Sequence, residues 1–185
     1  MELPSRPERR CAFASTRIIW TAEGGSLPAS NDALRREALD YFGTRFGVPP
    51  AAFAETVFVE PSNGEIWIAS ALPPSGLHPR RPPGLRALRR GPAGLKPTSA
   101  FLVSIGPLVT SSRLPLDADA VCQLLLGRRI PCSHSDGYVA LAHDGLILGC
   151  GHVADGIVHC LIPTGRRREL LDVFETQTRR QVADL

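Results

Sequence analysis

Two Asp-Gly pairs, Asp144-Gly145 and Asp155-Gly156, constrain this chain more than any other feature of it. A dipeptide in which both residues accept positive φ fits the two-residue hairpin turn whose twist matches that of paired strands. Apolar runs flank both pairs, so residues 137–143, 146–153 and 157–162 read as three strands of a meander. Strands this short, joined this tightly, make a small and strongly bent sheet or barrel. Within the second strand, Gly149-Cys150-Gly151 marks a bend or a close backbone approach rather than a phosphate loop.

The segments on either side of the meander read as helices. Asp117 is a good N-cap for a helix through Leu126, with Val121, Leu124 and Leu125 on its buried face and Gly127 stopping it. Arg128, Arg129, Ile130, Pro131 and an exposed turn then lead into the strands. Beyond them, Pro163-Thr164-Gly165 and the run Arg166, Arg167, Arg168 precede a helix over 169–177, which puts Leu170, Leu171 and Phe174 on one side.

The first half is organised differently. Residues 1–14 read as a charged tail, and 15–21 as a strand or a docked apolar segment around Ile18, Ile19 and Trp20. A helix follows, capped by Ser30 or Asn31, with Leu34, Ala38, Tyr41 and Phe42 at helical spacing and its end near Gly47. A helical turn over 51–55 comes next. Residues 56–60 and 65–70 form a hairpin about Pro61, Ser62, Asn63 and Gly64, in which Val57 and Val59 share a face, as do Ile66 and Ile68. A proline-rich loop over 71–83 leads to two helical turns over 84–90, with Leu85 and Leu88 inward and Arg86, Arg89 and Arg90 toward water. A loop then presents Lys96 ahead of a strand over 99–105. Seventeen Gly and seventeen Pro imply many short elements joined by tight turns, which favours an α+β fold over a helical bundle.

Charge is unevenly spread. Between Glu65 and Asp117 there is no carboxylate, while Arg80, Arg81, Arg86, Arg89, Arg90, Lys96 and Arg113 all fall there; the net charge of +3 hides this. Lys96 is also the only lysine in the chain. An uncompensated cationic surface condenses onto a polyphosphate and releases its counterions, so nucleic acid is the expected partner. Arg166, Arg167 and Arg168 form a second cluster, because cations at a helix start are unfavourable unless an anion is near. Arg128 and Arg129, close to a helix C-terminus, are explained by the helix dipole instead.

Catalytic signatures are missing. Cys132, His134, His143, Cys150, His152, His159 and Cys160 crowd one segment, but there is no Cys-x-x-Cys pair, and buried thiols with surface imidazoles are the simpler reading than zinc. No nucleophile elbow or paired carboxylates are placed for hydrolysis. No apolar window approaches the roughly 18 residues of a membrane span. The polar, proline-broken start and five cysteines, an odd number, lead to an expectation of reduced thiols and a cytoplasmic location.

The blocks Asp136-Gly137-Tyr138-Val139, Leu148-Gly149-Cys150-Gly151 and Pro163-Thr164-Gly165-Arg166-Arg167, in that order, resemble the PUA-type RNA-binding domain at the C-terminus of Nop/Sun-family RNA cytosine-5 methyltransferases. The segments 41–47 and 94–102 look like the pre-PUA domain that precedes it. Such a pair also stands alone in ribosome-biogenesis factors of archaea and the eukaryotic nucleolus. Those methyltransferases carry an S-adenosylmethionine domain and a Pro-Cys nucleophile. Here Pro131-Cys132-Ser133 is followed by His134, and no nucleotide-binding βαβ unit comes before it. The resemblance therefore implies recognition without chemistry.

The expected architecture is α+β in two small modules: a tail over 1–14, a pre-PUA-like α/β domain over 15–110, a PUA-like β-barrel over 111–175, and a tail over 176–185. The expected function is non-catalytic binding of structured RNA, ribosomal or transfer RNA, in ribosome biogenesis or RNA modification. Arg86, Arg89, Arg90, Lys96 and Thr98 are its contacts on the first module, and Arg166, Arg167 and Arg168 on the second. No catalytic residue, metal or cofactor is expected. The alternative is a protein-interaction subunit that supplies recognition domains in trans to an RNA methyltransferase or an assembly complex.

Overall fold

The computed structural model describes residues 32–60, 64–70, 84–92 and 94–183. The expectations for 1–14, for 15–21, for a cap at Ser30 or Asn31, for the turn at 61–63 and for the loop 71–83 lie outside them. The described chain is a mixed α/β structure with two sheets. Helix α1 (Asp32–Phe46) and a 3-10 turn (Pro50–Phe53) precede a four-stranded antiparallel sheet in the order β1 (Val57–Val59), β2 (Glu65–Ala69), β3 (Leu85–Gly91) and β4 (Gly94–Pro97). Helix α2 (Ser99–Ser104) leads out of it. The second sheet contains β5 (Arg113–Pro115), β6 (Ile130–Pro131), β7 (Gly137–His143), β8 (Leu146–Ala154) and β9 (Ile157–Cys160), in the order β5-β7-β8-β9-β6. Helix α3 (Ala118–Leu125) lies between β5 and β6, and α4 (Thr164–Ala183) closes the described chain.

The meander forms as its turns dictate. Asp144 (φ 47°) with Gly145 (φ 78°), and Asp155 (φ 53°) with Gly156 (φ 72°), hold the paired positive angles that a right-twisted two-residue hairpin requires. The Asp117 carboxylate accepts from the Ala120 amide at 2.7 Å, so α3 is capped as its sequence implies. Strand β5 went unread, because a three-residue strand ending in proline carries no periodicity. It pairs in parallel with β7, Leu114 opposite Leu141. Helix α4 starts at Thr164, five residues before the expected 169, and places all three arginines of 166–168 inside its first turns.

Two expected elements are wrong, and the loop expected to present Lys96 is instead strand β4, in which Lys96 is directly opposite Arg89. Residues 84–90 are not helical: they form strand β3, paired with β2 and β4. The register slips between Ile66 and Trp67, where Ile66 faces Leu88 but Trp67 faces Arg86, so Ala87 is an extra residue in β3. The bulge buries Ala87 and Leu88 in succession and erases the alternation of two that marks a strand. Residues 99–105 are not a strand either. The Thr98 hydroxyl accepts from the Phe101 amide at 3.2 Å and starts α2, a cap that outweighs the β-prone run Phe101-Leu102-Val103.

One apolar cluster joins Phe42 and Phe46 of α1, Phe53, Phe58, Leu88 and Phe101 to Ala140, Ala142, Ile147 and Cys150 of the second sheet. The other lies on the far face of that sheet, where Val139, Leu141, Val153 and Val158 meet Val121 and Leu124 of α3 and Leu170 and Phe174 of α4. Successive residues of β7 thus serve different cores, as a strand's alternating faces demand. Ser99 ties the halves together: its hydroxyl accepts from the Cys150 amide at 3.0 Å and donates to the Leu161 carbonyl at 3.3 Å. Replacing Ser99 by Ala leaves a buried amide unpaired, and urea denaturation is expected to show a loss of about 1–3 kcal/mol. An unchanged midpoint would mean that the seam between the sheets does not depend on this hydroxyl.

Candidate nucleic-acid interface

The arginines of β3 are compensated in space, although no acid stands near them in sequence. In a regular strand Arg86 and Arg89, three residues apart, point to opposite faces. The extra residue at Ala87 returns both to the same side, where Glu65 takes Arg86 at 2.7 Å and Arg89 at 3.2 Å. Burial raises the Glu65 pKa, but the hydrogen bond and charge of Arg86, with Arg89, outweigh it and leave the carboxyl below its ordinary value. Arg90 reaches Glu37 on α1 through both terminal nitrogens, the closer at 2.5 Å, and Glu60 through Nε at 2.9 Å. The hydrogen bonds it donates to Glu37 and then Glu60 push its pKa above the usual arginine value. The expectation of an uncompensated cationic face on Arg86, Arg89 and Arg90 is therefore corrected: these side chains bind α1 and the β1–β2 hairpin to β3.

The remaining candidates divide. Arg80 and Arg81 lie outside the described residues. Arg113 donates to the carbonyls of Val109 and Gly145. Thr98 caps α2 and donates to the Arg86 carbonyl, so both hydroxyl functions are already used. Lys96 is half-buried on β4 and has no ion-pair partner among the described residues; its charge acts on the Cys150 thiol across the seam. Burial pushes that thiol up to about 12, with Lys96 pulling the other way, so Cys150 is an inert core group and not a nucleophile. In the second cluster Arg166 pairs with Glu169 at 2.7 Å. Arg167 donates to the Thr164 hydroxyl at 3.0 Å. Arg168 is exposed and has no ion pair among the described residues.

The fold also brings together what sequence spacing separated. A Cβ placed on Gly127 would lie 3.2 Å from an Arg167 terminal nitrogen, so this guanidinium sits at the C-terminal end of α3. The partial negative charge there helps to hold it. Arg128 and Arg129, both exposed, follow directly; Arg128 bonds only the Gln123 side-chain oxygen, at 2.8 Å, and Arg129 has no ion pair among the described residues. Arg167 thus lies at the helix end from which Arg128 and Arg129 continue, Arg168 follows Arg167 on α4, and none of the four has a paired acid among the described residues. Arg128 and Arg129 were set aside in sequence because a helix dipole accounted for them. Their neighbour across the α3–α4 contact was not visible there.

Other surfaces are less suited to an anion. A groove of about 670 Å³ between the end of α2, the β7–β8 turn and α4 is walled by Val103, Ile147, Val173 and Phe174, and Arg166, which also lines it, is bound to Glu169. Among the described residues, no three His, Cys, Asp or Glu side chains are grouped so as to hold a metal ion. His143 bonds the Leu116 carbonyl at 2.9 Å, and the Cys122, Cys132, Cys150 and Cys160 thiols are free. No helix of the described residues is long and apolar enough to cross a membrane.

Residues 23–78 match a family model described as a family of unknown function (DUF7122). No curated protein matches the chain. The match spans α1 and the β1–β2 hairpin, and with them Glu37, Glu60 and Glu65. It stops short of β3 and of the whole second sheet, so it carries no information on Arg128, Arg129, Arg167 or Arg168.

Glu37 titrates below its ordinary value, chiefly because Arg90 donates to it, with burial opposing. A carboxyl depressed in the folded state contributes stability above its unfolded pKa, and that contribution is lost as pH falls through the folded value. Wild-type urea midpoints are therefore expected to fall on acidification below the usual carboxylate range. The Glu37→Gln variant should start lower and show a flatter profile. Parallel curves for the two proteins would show that the Arg90 pair contributes nothing to folding.

Proposed function

We propose that this chain is a non-catalytic binder of structured RNA, a pre-PUA-like and PUA-like pair in which the second half carries the phosphate contacts. The supporting observation is the α3–α4 contact, where Arg167 sits at the helix end from which Arg128 and Arg129 continue and, like Arg168 beside it in sequence, has no acid partner among the described residues. Guanidinium groups in that state are available to phosphate oxygens, each releasing a condensed counterion as it binds. Arg86, Arg89 and Arg90 are a secondary surface at most, since an RNA phosphate must compete there with Glu37, Glu60 and Glu65. Contacts of this kind position a duplex by its backbone and shape, as an A-form groove too narrow for side chains requires. Ribosomal or transfer RNA is the substrate class, in ribosome biogenesis or RNA modification.

Filter binding to ribosomal and transfer RNA at two salt concentrations tests this reading. Changing Arg128, Arg129, Arg167 and Arg168 together to Ala is expected to weaken retention by about tenfold or more at low salt and to flatten the salt dependence by several phosphate contacts. Changing Arg86, Arg89 and Arg90 to Ala should lower folding stability more than it lowers RNA affinity. Retention equal to wild type in the quadruple variant would reject the assignment.

A further inference from the structure

Strand register places three rings in one line across the second sheet. Tyr138 of β7 is directly opposite His152 of β8, and His152 is directly opposite His159 of β9. Residues opposite each other across a sheet project from the same face, so all three stand on one side. It is the side on which Ala140, Ala142 and Cys150 pack against the first half of the chain. Tyr138, His152 and His159 are each half-buried, Tyr138 against the edge of that apolar cluster. The Tyr138 and His152 rings meet edge to face, with centroids 4.9 Å apart at 60°.

Cations bracket this row. Arg45 of α1 donates to the Tyr138 carbonyl at 2.7 Å and to the Asp136 carbonyl at 3.1 Å. At the far end Ile130 of β6 pairs with Val158, so Arg129, just before Ile130, leaves the sheet beside His159, just after Val158. The chain has two tyrosines and one lysine. Tyr41 is the second tyrosine, and its phenol is raised by burial first and then by the neighbouring Cys150 and Tyr138. Asp136, exposed, is the acid next to the row in sequence.

We infer that the row Tyr138–His152–His159 is a stacking platform for unpaired RNA bases, with Arg129 taking a flanking phosphate. This rests on the RNA-binding reading above and names the part of the RNA that it recognises: a loop, bulge or end, not the duplex stem. Stacking on a ring face suits any base, so the platform selects unpaired structure rather than sequence.

Two labelled RNAs separate this inference from the reading it rests on: a hairpin with an unpaired loop, and a blunt duplex of the same stem. In anisotropy titrations Tyr138→Ala and His152→Ala are each expected to weaken the hairpin by about fivefold or more and to leave the duplex unchanged. Tyr138→Phe, which keeps the ring, should bind the hairpin as wild type does. The quadruple arginine variant should weaken both RNAs. A second measurement uses wild-type protein alone and so does not depend on any variant folding: photocrosslinking of a hairpin with 4-thiouridine in its loop, followed by peptide mapping. Adducts on the peptides containing Tyr138, His152 or His159 are expected. Equal affinity of wild type and Tyr138→Ala for the hairpin, equal losses on both RNAs, or loop adducts confined to other peptides would each overturn the platform while leaving RNA binding intact. Wild-type protein that holds neither RNA would remove the functional reading itself.

Discussion

The structure depends on six residues of helix wedged between two sheets. Helix α2 has β3 on one side and β8 on the other, and its first turn supplies Ser99, a polar residue buried at their junction. A buried hydroxyl must have partners, and Ser99 finds them in the Cys150 amide and the Leu161 carbonyl. Those two groups belong to the meander, while Thr98, one residue earlier, is bonded to the Arg86 carbonyl of β3. The angle between the halves is thereby set by hydrogen bonds with defined geometry, not by apolar contact alone. The Phe42, Phe53, Phe58 and Phe101 rings then fill the space on the α1 side, with Phe42 and Phe101 centroids 5.0 Å apart. Because Ala140, Ala142 and Cys150 face the same cluster, the second sheet completes the first half's core.

What the sequence made legible follows from how local each determinant is. The meander, its two Asp-Gly turns and α3 with its Asp117 cap rest on neighbours within a few residues, and all three are where their residues placed them. Strand β3 was misread because a bulge at Ala87 imitates helical spacing, with Leu85 and Leu88 three apart. Helix α2 was misread in the opposite sense: Phe101, Leu102 and Val103 favour strands, and one hydroxyl at Thr98 decides against them. In both cases a single residue reverses a preference spread over six or seven.

The candidate site was less legible than the fold, for a related reason. Summing charge along the chain treats neighbours in sequence as neighbours in space. Arg90 lies far from Glu37 and Glu60 in sequence, yet all three form one network. That pairing turns the densest run of positive charge into a structural fastening. Such exposed pairs are individually weak and salt-sensitive, but Arg90 holds two carboxylates at once and its side chain is only 39% exposed. The opposite error attached to Arg128 and Arg129, which looked satisfied by the end of their own helix. The fold sets Arg167 at that same helix end, so the dipole is shared and charge is left over.

Arginines without a paired acid and half-buried rings follow one line of residues. Starting at Arg45 under Tyr138, the line runs through His152 and His159 to Arg129 and on to Arg167 beside Gly127. Tyr138, His152 and His159 are held by strand pairing and Arg45 by its helix, so little ordering is left to be done at the rings when a ligand arrives. Had the line existed only to stabilise the fold, its arginines would be expected to find carboxylates, as those of β3 do. Among the described residues Arg45 is bonded to carbonyls alone, and Arg129 and Arg168 have no ion pair. Two kinds of arginine thus occur in one small protein, those matched to acids, as on β3 and at Arg166, and those without a paired acid among the described residues, as at Arg129 and Arg168. Only the second kind retains the electrostatic free energy that a polyanion can draw on.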